Sequence, residues 1–288
     1  MKKRFINIII LIIIIIGTYF IVYKYNEKVI MDSYEEMKPF SKNNNLYRLN
    51  INIKITRDLP KIEAASAFYP FASNFVQNAY IEKLYSEELL KLVSTTQAYS
   101  DIIKGKTDII IATAPSEKQK EMILNSNVSL EYKILYFEPL VFFVNKENNI
   151  ENLSIKEIQD IYYNNLDNWN TYQLEKNNGS QTCFESIVNN NTINQNHYEI
   201  HTMPEIIDRV AEDKNGIGYA FNSYYSKMHP NKKTKAIRVN EKSIEDTDYP
   251  LLFEVYMIYR TDNKNENISK IVNWLETENY QEFVKSIK

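Results

Sequence analysis

A single cysteine, Cys183, stands among the 288 residues, which excludes an intrachain disulfide framework and any zinc or iron–sulfur site built on several cysteines. Glycine is also scarce, at 5 residues, and neither G-x-x-x-x-G-K nor G-x-G-x-x-G occurs, so a glycine-rich phosphate loop is excluded. There is no excess of positive charge. Lys and Arg number 34 against 37 Asp and Glu, for a net charge of −3. Lys2, Lys3, Arg4, Lys24 and Lys28 fall in the first thirty residues, so the rest of the chain is more acidic still. An acidic body argues against nucleic acid as a partner. It leaves room for a small anion, because a pocket is set by local dipoles and not by net charge. With 44% hydrophobic and 25% charged residues, the composition is that of a globular chain, not of one disordered throughout, a collagen-like repeat or a polytopic membrane protein.

What is present begins with an apolar segment. Lys2, Lys3 and Arg4 precede an uncharged, isoleucine-dominated run of 19 residues, Phe5 to Tyr23, long enough to span a bilayer as one helix. The basic cluster in front of it predicts a cytoplasmic N-terminus and an exported body. A cleaved signal peptide is the competing reading. The run has no A-x-A site and no cysteine after it for lipid attachment, which favours an uncleaved anchor over residues 1–23. Residues 24–58 read as a stalk, on the polar, aperiodic Ser41-Lys42-Asn43-Asn44-Asn45 stretch.

Beyond residue 58 short apolar strands alternate with helices, which implies α/β layers on mainly parallel sheets. Lys61–Ala64, Asp108–Ala112, Leu135–Val144 (interrupted by Pro139), the Gly216–Phe221 run and Leu251–Tyr259 read as strands. Phe71–Tyr85, Gln97–Lys104, a segment opened by Pro115-Ser116-Glu117, Ser154–Tyr163 and Ile268–Ile287 read as helical. Ser154 with Glu157 three residues on is a capping box.

Several segments, in order, resemble the phosphate-binding proteins of bacterial ABC transporters and the wider periplasmic-binding-protein superfamily. Glu63-Ala-Ala-Ser-Ala-Phe-Tyr-Pro-Phe resembles the family's first ligand loop. Ser94-Thr95-Thr96-Gln97-Ala98-Tyr99, then Gly105-Lys-Thr-Asp108-Ile-Ile-Ile-Ala-Thr-Ala-Pro-Ser, resembles the second loop, its helix and the next strand. Glu138-Pro-Leu-Val-Phe-Phe-Val-Asn resembles the first crossing strand. Leu153-Ser-Ile-Lys-Glu-Ile-Gln-Asp-Ile-Tyr with Asn168-Trp169, Asn178-Gly-Ser-Gln-Thr, Gly216-Ile-Gly-Tyr and Tyr249-Pro-Leu complete the series, from about residue 59 to 285. The resemblance implies two α/β lobes with the ligand between them, joined by crossing hinge strands near Phe137–Leu140 and Tyr249–Leu252. One lobe would hold residues 59–139 with 251–288, the other 140–250. It implies ligand-binding roles for Ser66, Thr95, Thr96, Thr113, Asn178, Gly179 and Ser180.

That site suits the chemistry of the residues. Ser66, Thr96 and Asn178–Ser180 each stand just before a predicted helix, where free N–H groups and a partial positive charge receive anions without basic side chains. Each taken alone is equally a plain N-cap. Two positions depart from the family. Leu174 stands where an Arg is usual, four residues before the N-G-S run, and Thr113 where an acceptor Asp is usual. Lys176 offers a point charge but no bidentate fork. The ligand is therefore phosphate held weakly, another anion, or a neutral polar solute.

The other constellations are bland. His197 and His201, with Glu199 and Glu205, have metal-like spacing only if helical, and their surroundings read as loop. Cys183 reads as a small buried residue, Ser180 lies outside any G-x-S-x-G elbow, and Trp169 and Trp274 read as core anchors. The expectation is a monomeric, non-enzymatic solute-binding protein, anchored in the cell membrane with its body outside and feeding an ABC permease. It would need no metal or other cofactor. The alternative is a sensory or scaffold protein that keeps the fold without transport.

Overall fold

A computed structural model of the chain describes residues 34–164, 168–188 and 197–287. The expected anchor, residues 1–23, lies outside them, and among the described residues no helix is long and apolar enough to cross a membrane. The chain divides into two units, residues 1–46 and 47–288. In the first, the described residues form turns, with Met37 N–H donating to Tyr34 O and Asn45 N–H to Glu36 O. The second unit carries the sheets.

Its strands are β1 (Ile62–Ala65), β2 (Leu90–Val93), β3 (Ile109–Ala112), β4 (Leu130–Asn145), β5 (Asn152–Leu153), β6 (Asn170–Leu174), β7 (Tyr198–Ile200), β8 (Gly216–Phe221), β9 (Thr234–Ala236), β10 (Arg238–Val239) and β11 (Leu252–Arg260). The helices are α1 (Tyr69–Ala79), α2 (Thr95–Ile103), α3 (Glu117–Leu124), α4 (Ile155–Asn164), α5 (Gly179–Val188), α6 (Met203–Glu212), α7 (Glu266–Leu275) and α8 (Glu278–Ile287). A nine-stranded sheet runs β2-β1-β3-β11-β4-β8-β6-β7, with β9 on β4, and β10 pairs β5 apart from it. β1 is parallel to β2 and β3, and β6 to β7 and β8, while β4 and β11 run antiparallel to their neighbours.

The two lobes meet within β4. Its residues Leu130–Pro139 pair with β11, and Leu140–Val144 pair with β8. The strand is not interrupted at Pro139, as its sequence suggested. A proline lacks the ladder N–H, but here it lies at the seam where β4 changes partner, and Leu140 N–H resumes the pairing at Leu251 O, 2.9 Å away.

Each lobe has an apolar reason to form. Beneath α2 in the first lobe, Ala98, Tyr99, Ile102, Ile110, Ala112 and Ile258 make a buried cluster. On the other face Trp274 packs against Phe75, Tyr280 and Phe283. The second lobe centres on Phe142, Tyr162, Phe184 and Tyr219, with the Phe184 and Tyr219 rings stacked 4.3 Å apart. Gly218 lets α6 approach β8, since a Cβ there would lie 2.5 Å from Ile206 Cγ2.

Residues 47–58, read as the far part of a stalk, are packed. Ile51, Ile53 and Ile55 are buried while the residues between them are exposed, a period of two. Tyr47 and Leu49 N–H donate to Asn74 and Asn78 on α1, at 2.9 and 2.7 Å. Two helical expectations were also too long. α1 stops at Ala79, and Tyr80 turns extended to donate its hydroxyl to Pro60 O. The terminal helical region breaks at Thr277, whose Oγ1 donates to Trp274 O and accepts from Tyr280 N–H, which caps α8.

Candidate functional site

The first lobe supplies three chain ends. α2 begins at Thr95 with Ser94 as its cap, Oγ accepting from Gln97 N–H at 3.2 Å. Thr95 and Thr96 thus lie on its first turn and not before it. α3 is opened by a Ser116–Gln119 capping box. Thr113 follows β3, 1% exposed, and its carbonyl accepts from Tyr99 Oη at 2.8 Å. The second lobe supplies the start of α5, where Asn178 Oδ1 accepts from Ser180 N–H and Ser180 Oγ at 3.1 and 3.0 Å. Those two side chains are spent on each other, so this wall offers backbone N–H groups.

The walls touch at Gly179. A Cβ there would lie 2.9 Å from both Thr95 Oγ1 and Thr113 Oγ1. Thr113 Oγ1 is buried, has no hydrogen-bond partner among the described residues, and lies beside the Cys183 thiol. A thiol is a weak hydrogen-bond partner, so this hydroxyl is poorly satisfied and stands as an available donor or acceptor. The structure therefore brings together Thr95, Thr113 and Gly179. Ser66 opens the 3-10 turn Ser66–Phe68, whose Phe68 ring meets Phe221 of β8 at 5.2 Å.

Thr96 joins the site through a residue that sequence reasoning missed. Asn177 has φ 69°. Its carbonyl accepts from Thr96 Oγ1 at 3.3 Å and Gln119 Nε2 at 3.0 Å, and its Oδ1 accepts from Ser116 Oγ at 2.9 Å. Three neutral hydrogen bonds thus cross between the lobes at one residue. Asn177-Asn178-Gly179 carried a signal for the turn, because Asn tolerates the left-handed region, but nothing local named its partners.

Charge is absent from the contact itself. Leu174 is 2% exposed and its N–H donates to Tyr219 Oη. Tyr219 Oη in turn donates to Gln181 Oε1, so the expected Arg position is part of a buried polar network. Burial pushes the Cys183 thiol well up, which disfavours its thiolate. Glu63 in β1 is 7% exposed, and Oε2 has no hydrogen-bond partner among the described residues. Burial first, and the Asp101 charge second, raise its carboxyl to about 7 against the pull of Lys91 and Lys106. His201 pairs with Glu175, and the segment between His197 and His201 is strand β7, not helix. Trp274 is buried and Trp169 half-buried. A cavity of about 680 Å³ adjoins the contact, with walls from Ala114–Glu117 and Lys120, from Lys176–Asn177 and α5, and from Phe253.

A family model described as a PBP superfamily domain matches residues 60–277. The chain belongs to the PBP superfamily. No curated protein matches it. Among solved structures it is similar to an ABC-type phosphate transport receptor from Vibrio cholerae, at 16% identity over 79% of this chain and 98% of that one, with a TM-score of 0.54. It is similar to a putative phosphate ABC transporter substrate-binding protein with bound phosphate from Clostridium perfringens, at 14% identity over 79% and 97%, TM-score 0.59. It is also similar to a mutant OxyR2 regulatory domain from Vibrio vulnificus, at 13% identity over 82% and 100%, TM-score 0.56. At these identities the likeness is one of fold. As a divergent PBP-superfamily member, the chain has the fold of binding proteins, with a neutral contact of hydroxyls and helix N-termini where its lobes meet.

Proposed function

We propose that the chain is an extracytoplasmic solute-binding protein, held in the cell membrane by residues 1–23 and acting as a monomer without catalysis. In this reading its lobes, 59–139 with 251–288 and 140–250, close on a small polar or anionic solute and deliver it to an ABC permease. The change of partner at Pro139/Leu140 supports the lobe boundary. The observation that carries the reading is the meeting of Thr95 and Thr113 with the start of α5, where the buried Thr113 hydroxyl has only the weak Cys183 thiol beside it. Hydroxyls and helix-end N–H groups are the donors that bind oxyanions without cations. With Leu174 in place of an Arg, one charge-assisted bond of about 1.5–3 kcal/mol is missing, so inorganic phosphate should bind weakly. Calorimetry of the full-length protein in mild detergent tests this, and nanomolar phosphate affinity would show that the missing charge does not matter. Protease added to intact cells should digest the body, and protection of the body would overturn the exported topology.

A sensory or scaffold role is the second reading. The three Asn177 hydrogen bonds favour it, since protein groups alone link the lobes there. Absence of solute binding, with an intact fold, would make it the better one.

A further inference from the structure

We propose that the 680 Å³ cavity beside the Gly179 contact holds a short zwitterionic peptide of two or three residues with an apolar side chain, its carboxylate at Lys176 and its ammonium at Glu185. This rests on the solute-binding reading and names the class of solute.

With the lobes as they stand, the contact itself is closed, and the open space lies directly beside it. Less than a methyl's width separates Gly179 from the Thr95 and Thr113 hydroxyls with the lobes as they stand. The cavity next to it, by contrast, has the volume of ordinary small-molecule sites. Charge then selects the solute. Four charged residues line the cavity. Lys120 and Glu117 neutralise each other at 2.7 Å. Lys176 has no ion-pair partner among the described residues, and Glu185 meets there the neutral Gln181 Nε2, at 3.1 Å. Among the described residues one cation and one carboxylate are left without counter-ions, and an inorganic anion answers only the first.

Spacing sets the length. Lys176 precedes α5 by three residues and Glu185 is seventh in it. At 1.5 Å per residue the helix alone separates its start from Glu185 by about 9 Å. A single amino acid carries both charges on one carbon and falls short, whereas two or three extended residues span about 7–11 Å. The orientation follows from the helix dipole, because a carboxylate is favoured at the N-terminal end of α5. Pro115, Ala114 and Phe253 provide an apolar wall for a side chain between the charges.

The experiment compares four probes on the full-length protein in mild detergent, by calorimetry and thermal shift. They are alanyl-phenylalanyl-alanine, its N-acetyl form, its C-terminal amide, and inorganic phosphate. The free peptide should bind, and either cap should weaken it about ten-fold, as loss of one charge-assisted contact does. Lys176→Gln should abolish the penalty of the amide alone, and Glu185→Gln that of the acetyl group alone. Equal binding of free and capped peptides overturns the inference. Phosphate binding without peptide binding overturns it and leaves the solute-binding reading standing. Binding of neither, with a normal melt, overturns both in favour of the sensory reading.

Discussion

The two walls that meet at Gly179 are built on opposite plans. On the α2 and β3 side, Thr95 and Thr113 bring their hydroxyls up to the contact, and that of Thr113 has only the weak Cys183 thiol beside it. On the α5 side, Asn178 and Ser180 close on each other as a cap. At Gly179 one wall presents side chains and the other main chain, and only beside it does Asn177 add a side-chain acceptor for Ser116. The difference shows that residues of the same type, each standing at a helix start, divide into those that serve a neighbour and those that serve their own helix. What divides them is whether another element lies within reach.

Substitutions at Gly179, Asn177 and Asn178 break or sharpen that contrast. Gly179→Ala should have the largest effect, because its methyl would stand 2.9 Å from two hydroxyls on stiff, β-branched side chains. A loss of about 1–3 kcal/mol is expected in urea unfolding, with partial recovery on adding Thr113→Ala. An unchanged midpoint would mean that the walls do not press on each other. Asn177→Ala comes next. It removes the bond from Ser116 and places an alanine at φ 69°, a combined cost of about 1–2 kcal/mol. Asn177→Gly keeps the backbone at ease and should cost visibly less, which separates the hydrogen bond from the strain. Asn178→Ala should cost about 1 kcal/mol as a lost cap, with no change in how Thr95 and Thr113 sit. A large drop in solute affinity would place Asn178 on the wrong side of the comparison.

Glu63→Gln, beneath α2, differs from these in that its effect depends on pH. In the folded protein Glu63 titrates at about 7, above its ordinary 4.5. Between those values the folded state holds a proton that the unfolded chain has released. Stability therefore falls as pH rises from about 4.5 to about 7, and the penalty stands in full above 7. Glu63→Gln should flatten that fall, gaining stability at pH 8 and changing little at pH 4. Parallel pH profiles of the two proteins would refute the assignment.

Much of the fold was legible because it is local. The fully buried Ile109–Ala112 strand, the Ser154–Glu157 capping box and the order of family-like segments need only near neighbours. The strands β2 and β6 were missed, since Leu90–Val93 is short and mostly half-exposed and Asn170–Leu174 carries polar residues that only a buried network explains. The stalk was drawn too long because the polar residues 41–45 outweighed the alternating isoleucines after them. At the contact, Thr95, Thr113 and Gly179 stand out in the sequence by their family-like segments, whereas the residues that join the lobes around them, Asn177, Ser116 and Gln119, do not.

By itself, the sequence determined the layered α/β class, the capping boxes and the absence of charge at positions 113 and 174, because propensity, capping and side-chain charge are properties of a residue and its near neighbours. Only the tertiary structure decided which hydroxyls face the cleft, that Asn177 meets partners some 60 to 80 positions away in the chain, and that Lys176 and Glu185 share one cavity. The physical reason is that a hydrogen bond or an ion pair is set by distance in space, and no spacing along the chain encodes how two separately formed lobes come to rest against each other.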